Sequence, residues 1–233
     1  MRLKAIIFDV DGTLAETEQA HRRAFNQAFT DARLAWHWSE ADYAALLTTT
    51  GGREWIARYR AEIGLAPDPA TVAALHLRKN EIYAELLAAG EIAPRPGIMR
   101  LIHESLDRGL TLAIATTASR ANLDGLLRHV LGPGAKLWFQ VIVAGEDVVA
   151  KKPDPEAYMR ALAGLRLAAR DCVAIEDSEH GLTSARAARI ATVITPSRFT
   201  AGHDFSGATR ICDDLDDGGH RVDIARLDAL LLN

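Results

Sequence analysis

Three observations predict a doubly wound parallel α/β sheet with an inserted all-helical segment. Short, β-rich apolar runs recur at residues 3–8, 110–115, 139–144, 172–175 and 190–194. They are continuously apolar rather than alternating, the pattern of strands covered on both faces in a parallel sheet. Between residues 17 and 90 that rhythm stops, and apolar residues fall at helical spacing instead.

The first run, Leu3 to Phe8, leads straight into Asp9 and Asp11 of "FDVDGTL". The insertion follows. Ala24, Phe25, Ala28 and Phe29 mark one helical stripe, and Leu75, Ile82, Tyr83 and Leu86 another, with Trp36, Trp38 and Trp55 assigned to its core. "GEIAPRPG", Gly90 to Gly97, reads as a hinge back into the sheet. The expected division is therefore 1–16 with 91–233 as one domain and 17–90 as the other. Pro96-Gly97 opens a helix ending near Arg108-Gly109, and the next spans Asn122 to Leu131 before Gly132-Pro133-Gly134. In "KPDPEAYMRALAGL", Asp154 is the expected N-cap, Pro155 the first helical residue and Glu156 a first-turn acid. From residue 110 the order is β-α-β-α-β-α-β, which is that of a doubly wound sheet.

Composition narrows the function. The chain has 233 residues, 48% hydrophobic and 25% charged, enough for a substantial core. A net charge of −4 and a pI near 6.1 supply no basic field for a nucleic-acid backbone, so nucleic acid is not an expected partner. Cys172 and Cys212 sit in apolar stretches without CxxC spacing, and the eight histidines form no pair at ligand spacing. Buried thiols in a reducing compartment are expected, not a disulfide or a zinc site. No apolar run approaches membrane-spanning length, so the expectation is a cytoplasmic protein without a membrane partner. No extended apolar face is left over once the elements are assigned, which makes a monomer the default.

Ligands of open α/β sheets sit beyond the carboxyl ends of the strands. After the first run come Asp9 and Asp11, after the second Thr116 and Thr117, after the third Lys151 and Lys152, and after the fourth Glu176 and Asp177. Two carboxylates as close as Asp9 and Asp11 repel each other unless a metal ion or a retained proton intervenes. The set suits phosphoryl transfer. Asp9 can attack phosphorus and form an aspartyl phosphate. Mg²⁺ held by Asp9, the main-chain carbonyl of Asp11 and the Glu176/Asp177 pair would neutralise an attack of anion on anion. Lys152 and the Thr116 hydroxyl would hold the other phosphoryl oxygens. Asp11 is then the general acid and base.

"DVDGTL", "IATT", "KKPDP" and "IEDS", in that order, resemble the four motifs of the haloacid dehalogenase superfamily, over essentially the whole chain. The resemblance implies a Rossmann-like core, a mobile cap, an aspartate nucleophile and Mg²⁺. In that pattern Lys152, directly before Pro153, is the motif lysine. Helices placed just after the first motif resemble the helical-cap subclass shared by β-phosphoglucomutase and phosphoglycolate phosphatase. "DGTLAETEQAHRRAF", with Glu16 where most relatives have Asp, and "LLTTTGGRE" and "ITPSRFT" resemble the CbbY-type branch. That branch dephosphorylates xylulose-1,5-bisphosphate, an inhibitor of Rubisco, which would make the chain a phosphatase serving carbon fixation.

A bisphosphate needs a second anion site, expected in the cap. Arg53 and Lys79 match positions that contact the distal part of the substrate in similar capped enzymes. Glu18 and His21, one helical turn apart, are expected to bind sugar hydroxyls, and Thr117 is a further substrate-side candidate. Arg189 departs from the pattern, since relatives usually carry glycine at the end of that helix. Two rivals stand beside the phosphatase: a β-phosphoglucomutase-like mutase using the same Asp9 and Asp11, and a catalytically silent phosphosugar-binding regulator.

Overall fold

The computed structural model describes residues 1–47, 51–216 and 221–232; Thr48, Thr49 and Thr50 of the "LLTTTGGRE" motif lie outside the described residues. In chain order the elements begin with β1 (Ala5–Phe8), α1 (Glu18–Asp31), α2 (Glu40–Leu46), α3 (Gly52–Glu62) and α4 (Pro69–Ala88). They continue through α5 (Ile98–Asp107), β2 (Thr111–Ala115), α6 (Arg120–Leu126), β3 (Phe139–Val143), α7 (Glu156–Leu165) and β4 (Cys172–Glu176). The last are α8 (Glu179–Ala187), β5 (Ala191–Ile194), β6 (Arg210–Ile211) and α9 (Ile224–Ala229).

The chain divides into two compact units, 1–16 with 93–233, and 17–92. Glu91 pairs with Arg23 of α1, so residues 91 and 92 join the helical unit and the return falls two residues beyond the expected one.

In the first unit the strands form one parallel sheet in the order β3-β2-β1-β4-β5-β6. Both faces of the central strands β1, β2, β4 and β5 are buried, as continuous apolarity requires. On one face Ala5, Ile7, Ala113, Ala115 and Ala174 meet Ala157, Tyr158 and Ala161 of α7 and Ala185 of α8. Small residues on both sides let α7 lie close to β2 and β3. The alternate residues Ile6, Phe8, Leu112, Ile114, Val173 and Ile175 are buried as well. Each fully buried Ile or Phe contributes about 1.5–3 kcal/mol.

Two helix starts differ from the sequence expectation. α6 begins at Arg120, not Asn122, because Ser119 accepts the Asn122 N–H and caps the helix earlier; a π-turn over Leu127–Leu131 continues it to Gly132. α7 begins at Glu156, whose N–H donates to Asp154 Oδ1 at 2.9 Å, so Asp154 caps from one residue further out. β6 was not expected. It has two residues, one of them arginine, and offers no apolar run to read.

In the second unit α1 packs on α4. Phe25, Phe29, Trp36, Trp38, Tyr43, Trp55 and Tyr59 pack ring against ring at 4.7–6.4 Å between centroids. Helix starts are built locally: Ser39 and Asp42 form a reciprocal capping box on α2, and Asp68 caps α4 with Pro69 in its first turn. Leu87, rather than Leu86, is the buried leucine of the last α4 turn.

Candidate active site

The sheet order reverses at β1. The chain builds outward through β2 and β3, then returns to lay β4 against the other side of β1. A crevice at the carboxyl ends of β1 and β4 is what this topology produces. Phe8 is in register with Ile175, and the Asp9 N–H donates to the Ile175 carbonyl at 3.0 Å. Asp9 and Glu176 therefore leave the sheet side by side, with Asp177 next.

Lys152, from the segment after β3, reaches into the same place. Its buried ammonium donates to Asp9 Oδ1 and to Glu176 Oε1, both at 2.6 Å. The Tyr158 hydroxyl of α7 donates to the same Glu176 oxygen at 2.6 Å, and the Lys152 ammonium lies 5.0 Å from the Tyr158 ring centroid. Two glycines make room for the acids. A Cβ on Gly181 would collide with the Glu176 carboxylate, and a Cβ on Gly12, at φ +79°, would collide with that of Asp177. Thr200 Oγ1 donates to the Asp177 carbonyl at 2.7 Å, which fixes the backbone carrying that acid.

Electrostatics follow from this crowding. Burial, then Glu176, push the Asp9 carboxyl up to about 7; Lys152 opposes them and Asp11 adds to them. Burial alone would favour loss of the Lys152 proton, but Asp9 and Glu176 outweigh it and hold the ammonium firmly charged. Burial and Glu176 push the Tyr158 phenol well above its ordinary range, so it stays a donor.

Carboxylate oxygens of Asp9, Glu176 and Asp177 lie within 4.8 Å of one another. An all-oxygen set of three buried carboxylates suits a hard divalent cation. The residues fit a metal ion. Asp11 is half-buried on the turn after β1, where the Gly12 N–H donates to the Ala15 carbonyl at 2.9 Å. Its carboxylate is not part of the three-acid group.

Thr116 is buried at the end of β2, and its Oγ1 accepts the Ala118 N–H at 3.1 Å, leaving its proton to donate elsewhere. Thr117 is half-buried on the following turn, and Lys151 is half-buried beside Lys152.

The helical unit assembles a second polar group. Lys79, buried on α4, lies 2.8 Å from His21 Nδ1 and about 5 Å from the ring centroids of Phe25 and Tyr83. His21 stacks on Tyr83 with centroids 3.9 Å apart. Glu18, also buried, accepts from the Tyr43 hydroxyl at 2.6 Å. Arg53 stands exposed on the first turn of α3.

Sequence reasoning did not single out Tyr158, Thr200, Gly181 or Arg95. Tyr158 sits between alanines on the buried stripe of α7 and reads as core. Gly181, inside a helix with no turn to serve, is the one that carried a legible signal.

Fold, acids and lysine define a hydrolase class. A family model described as haloacid dehalogenase-like hydrolase matches residues 3–189, and the chain belongs to that family. It is an enzyme, of the phosphatase type. Among individual relatives, the chain is 50% identical over 208 residues to protein CbbY of Rhodobacter capsulatus, covering 89% of this chain and 92% of that one. Crystal structures of CbbY from Rhodobacter sphaeroides superpose with TM-scores of 0.91 over 97% of this chain and 99% of theirs. One, at 44% identity, is a complex with phosphate; the other, at 43%, is a variant in complex with xylulose-1,5-bisphosphate.

Proposed function

We propose that the protein is a Mg²⁺-dependent sugar-bisphosphate phosphatase that hydrolyses xylulose-1,5-bisphosphate to xylulose 5-phosphate through an aspartyl phosphate on Asp9. The observation that carries this reading is the charge-paired cluster of Asp9, Lys152, Glu176 and Asp177 at the sheet's reversal point. The likeness to CbbY supports the substrate, since one such structure is a complex with that bisphosphate.

Asp9, Glu176, Asp177 and the main-chain carbonyl of Asp11 would hold the cation. When bound, Mg²⁺ supplies positive charge that keeps Asp9 ionised and offsets the phosphoryl charge. Lys152 holds Asp9 by one oxygen. An Asp9 oxygen forms a bond to phosphorus as the bond from phosphorus to the sugar oxygen breaks, and Asp11 gives that oxygen its proton. Asp11, now a carboxylate, takes a proton from water as the water oxygen attacks phosphorus and frees Asp9. Thr116 donates its spare proton to a phosphoryl oxygen, and Lys152 adds charge. Thr117 is a further contact on the substrate side.

On this reading Arg53 and Lys79 take the second phosphate, and Glu18 and His21 the sugar hydroxyls. The polar group of Lys79, His21 and Glu18 on otherwise apolar helix faces supports such a role. The test is phosphate release from xylulose-1,5-bisphosphate by wild type and Asp9→Asn, with Mg²⁺ and with chelator. Steady release lost on substitution and on chelation is the expected result. Release that survives Asp9→Asn refutes the covalent route, and no release by wild type favours the silent regulator.

A further inference from the structure

We propose that Arg95 is a positioning residue of this site, one that sets the distance between the Asp11 loop and Asp177. The proposal rests on the reading of Asp9, Glu176 and Asp177 as a cation cluster. Arg95 lies in the return segment, before α5, and its guanidinium is buried. Nη1 donates to the Gly12 carbonyl, to the Thr195 carbonyl at 2.6 Å and to Thr195 Oγ1 at 3.2 Å. Nη2 donates to the carbonyls of Pro196 at 2.7 Å and Asp213 at 3.2 Å, and Nε lies 3.4 Å from the half-exposed Glu16 carboxylate. The Arg95 main-chain N–H donates to the Leu14 carbonyl at 2.9 Å.

One residue thus grips the loop after β1 at two carbonyls, the loop after β5 at two, and the segment after β6 at one. From the β5 loop the connection reaches the acids. The Ser197 N–H donates to Thr200 Oγ1 at 2.8 Å, and Thr200 Oγ1 donates to the Asp177 carbonyl. From the β1 loop it reaches them again, because the Gly12 α-carbon is packed against the Asp177 carboxylate. Arg95 therefore spans the two sides of a contact on which the cation site depends.

A buried guanidinium satisfied mainly by neutral carbonyls is a costly way to fill space. Its planar fork serves five acceptors on three loops at once, more than the three donors of an ammonium can satisfy. The arrangement has the character of a fixture that specifies loop spacing.

Calorimetric titration of Mg²⁺ into substrate-free protein tests this, using wild type, Arg95→Lys, Arg95→Met and Thr200→Val, each well below its own melting temperature. Arg95→Met should weaken Mg²⁺ binding at least tenfold, Thr200→Val at least threefold, and Arg95→Lys by an intermediate factor. The Arg95→Met/Thr200→Val double variant should lose little more than Arg95→Met alone, because both cut one connection. In turnover, kcat should fall while KM for the sugar phosphate holds. A folded Arg95→Met with a lowered melting temperature but Mg²⁺ affinity and kcat within twofold of wild type makes Arg95 merely structural and overturns the proposal. If Arg95→Met does not fold, Mg²⁺ affinity and kcat within twofold of wild type in Arg95→Lys overturn it equally. Wild type that binds no Mg²⁺ refutes the cation cluster itself, a different failure.

Discussion

To attack phosphorus as proposed, Asp9 must be ionised, yet burial and Glu176 resist its ionisation. Its carboxyl is raised to about 7, first by burial and then by Glu176. Without a cation the native state binds a proton there that the unfolded chain has already lost above about pH 4. The Asp9 contribution to stability is therefore greatest below about pH 4 and is lost as pH rises toward and through about 7. Asp9→Asn removes that dependence. In chelator at pH 8 the variant should gain stability relative to its difference from wild type at pH 4, the direction set by the raised Asp9 carboxyl. Melting curves across pH check this, and the same variant should abolish turnover. Asp11 is different, since its main-chain oxygen would serve the cation and its side chain the proton. Asp11→Ala should lower kcat by about 10²–10⁴, slowing both formation and breakdown of the phospho-enzyme, with Mg²⁺ affinity nearly unchanged. Rapid-quench kinetics beside calorimetry separate the two effects. A parallel loss of Mg²⁺ affinity contradicts the division of roles.

Arg189 closes α8 with φ +62°, in the left-handed region, where relatives of the motif usually have glycine. Arg189→Gly should stabilise the protein by about 0.5–1 kcal/mol, read as a rise of a few degrees in melting temperature, with activity untouched. Gly12→Ala should do the opposite to function. The position has φ +79°, and the new methyl meets the Asp177 carboxylate, so Mg²⁺ binding should be lost before the fold is. Elements whose signal is local were legible in the sequence. β1, β2 and β4 are continuous apolar runs, and the acids that end β1 and β4 could be read as a rim because parallel strands place their ligands there. β6 is too short to carry a pattern. Contacts that depend on chain return were illegible for a different reason. Arg95 looks like a solvent-facing charge between two prolines, and only folding brings the carbonyls of Gly12, Thr195 and Asp213 around it. Lys79 is the intermediate case. At four residues from both Leu75 and Tyr83 it falls on the apolar stripe of α4, a charge where the helical period calls for core.

Across the whole molecule, two units carry two kinds of residue. The sheet unit holds the four motifs, all of which end strands or follow them; the helical unit holds Glu18, His21, Lys79 and Arg53. On the proposed reading, the chemistry common to the hydrolase family belongs to the first and the choice of substrate to the second. Arg53→Ala should accordingly raise KM for a bisphosphate at least tenfold and for a monophosphate far less. Equal effects on both would remove Arg53 from the distal phosphate. The central claim, a bisphosphate phosphatase rather than a mutase, has a more direct test. It is kcat/KM with Mg²⁺ for xylulose-1,5-bisphosphate, ribulose-1,5-bisphosphate, phosphoglycolate and β-glucose-1-phosphate, the last also assayed for glucose-6-phosphate with a trace of bisphosphate primer. Free phosphate from the xylulose compound, preferred by orders of magnitude, is the predicted result; isomerised glucose phosphate with little free phosphate would contradict it.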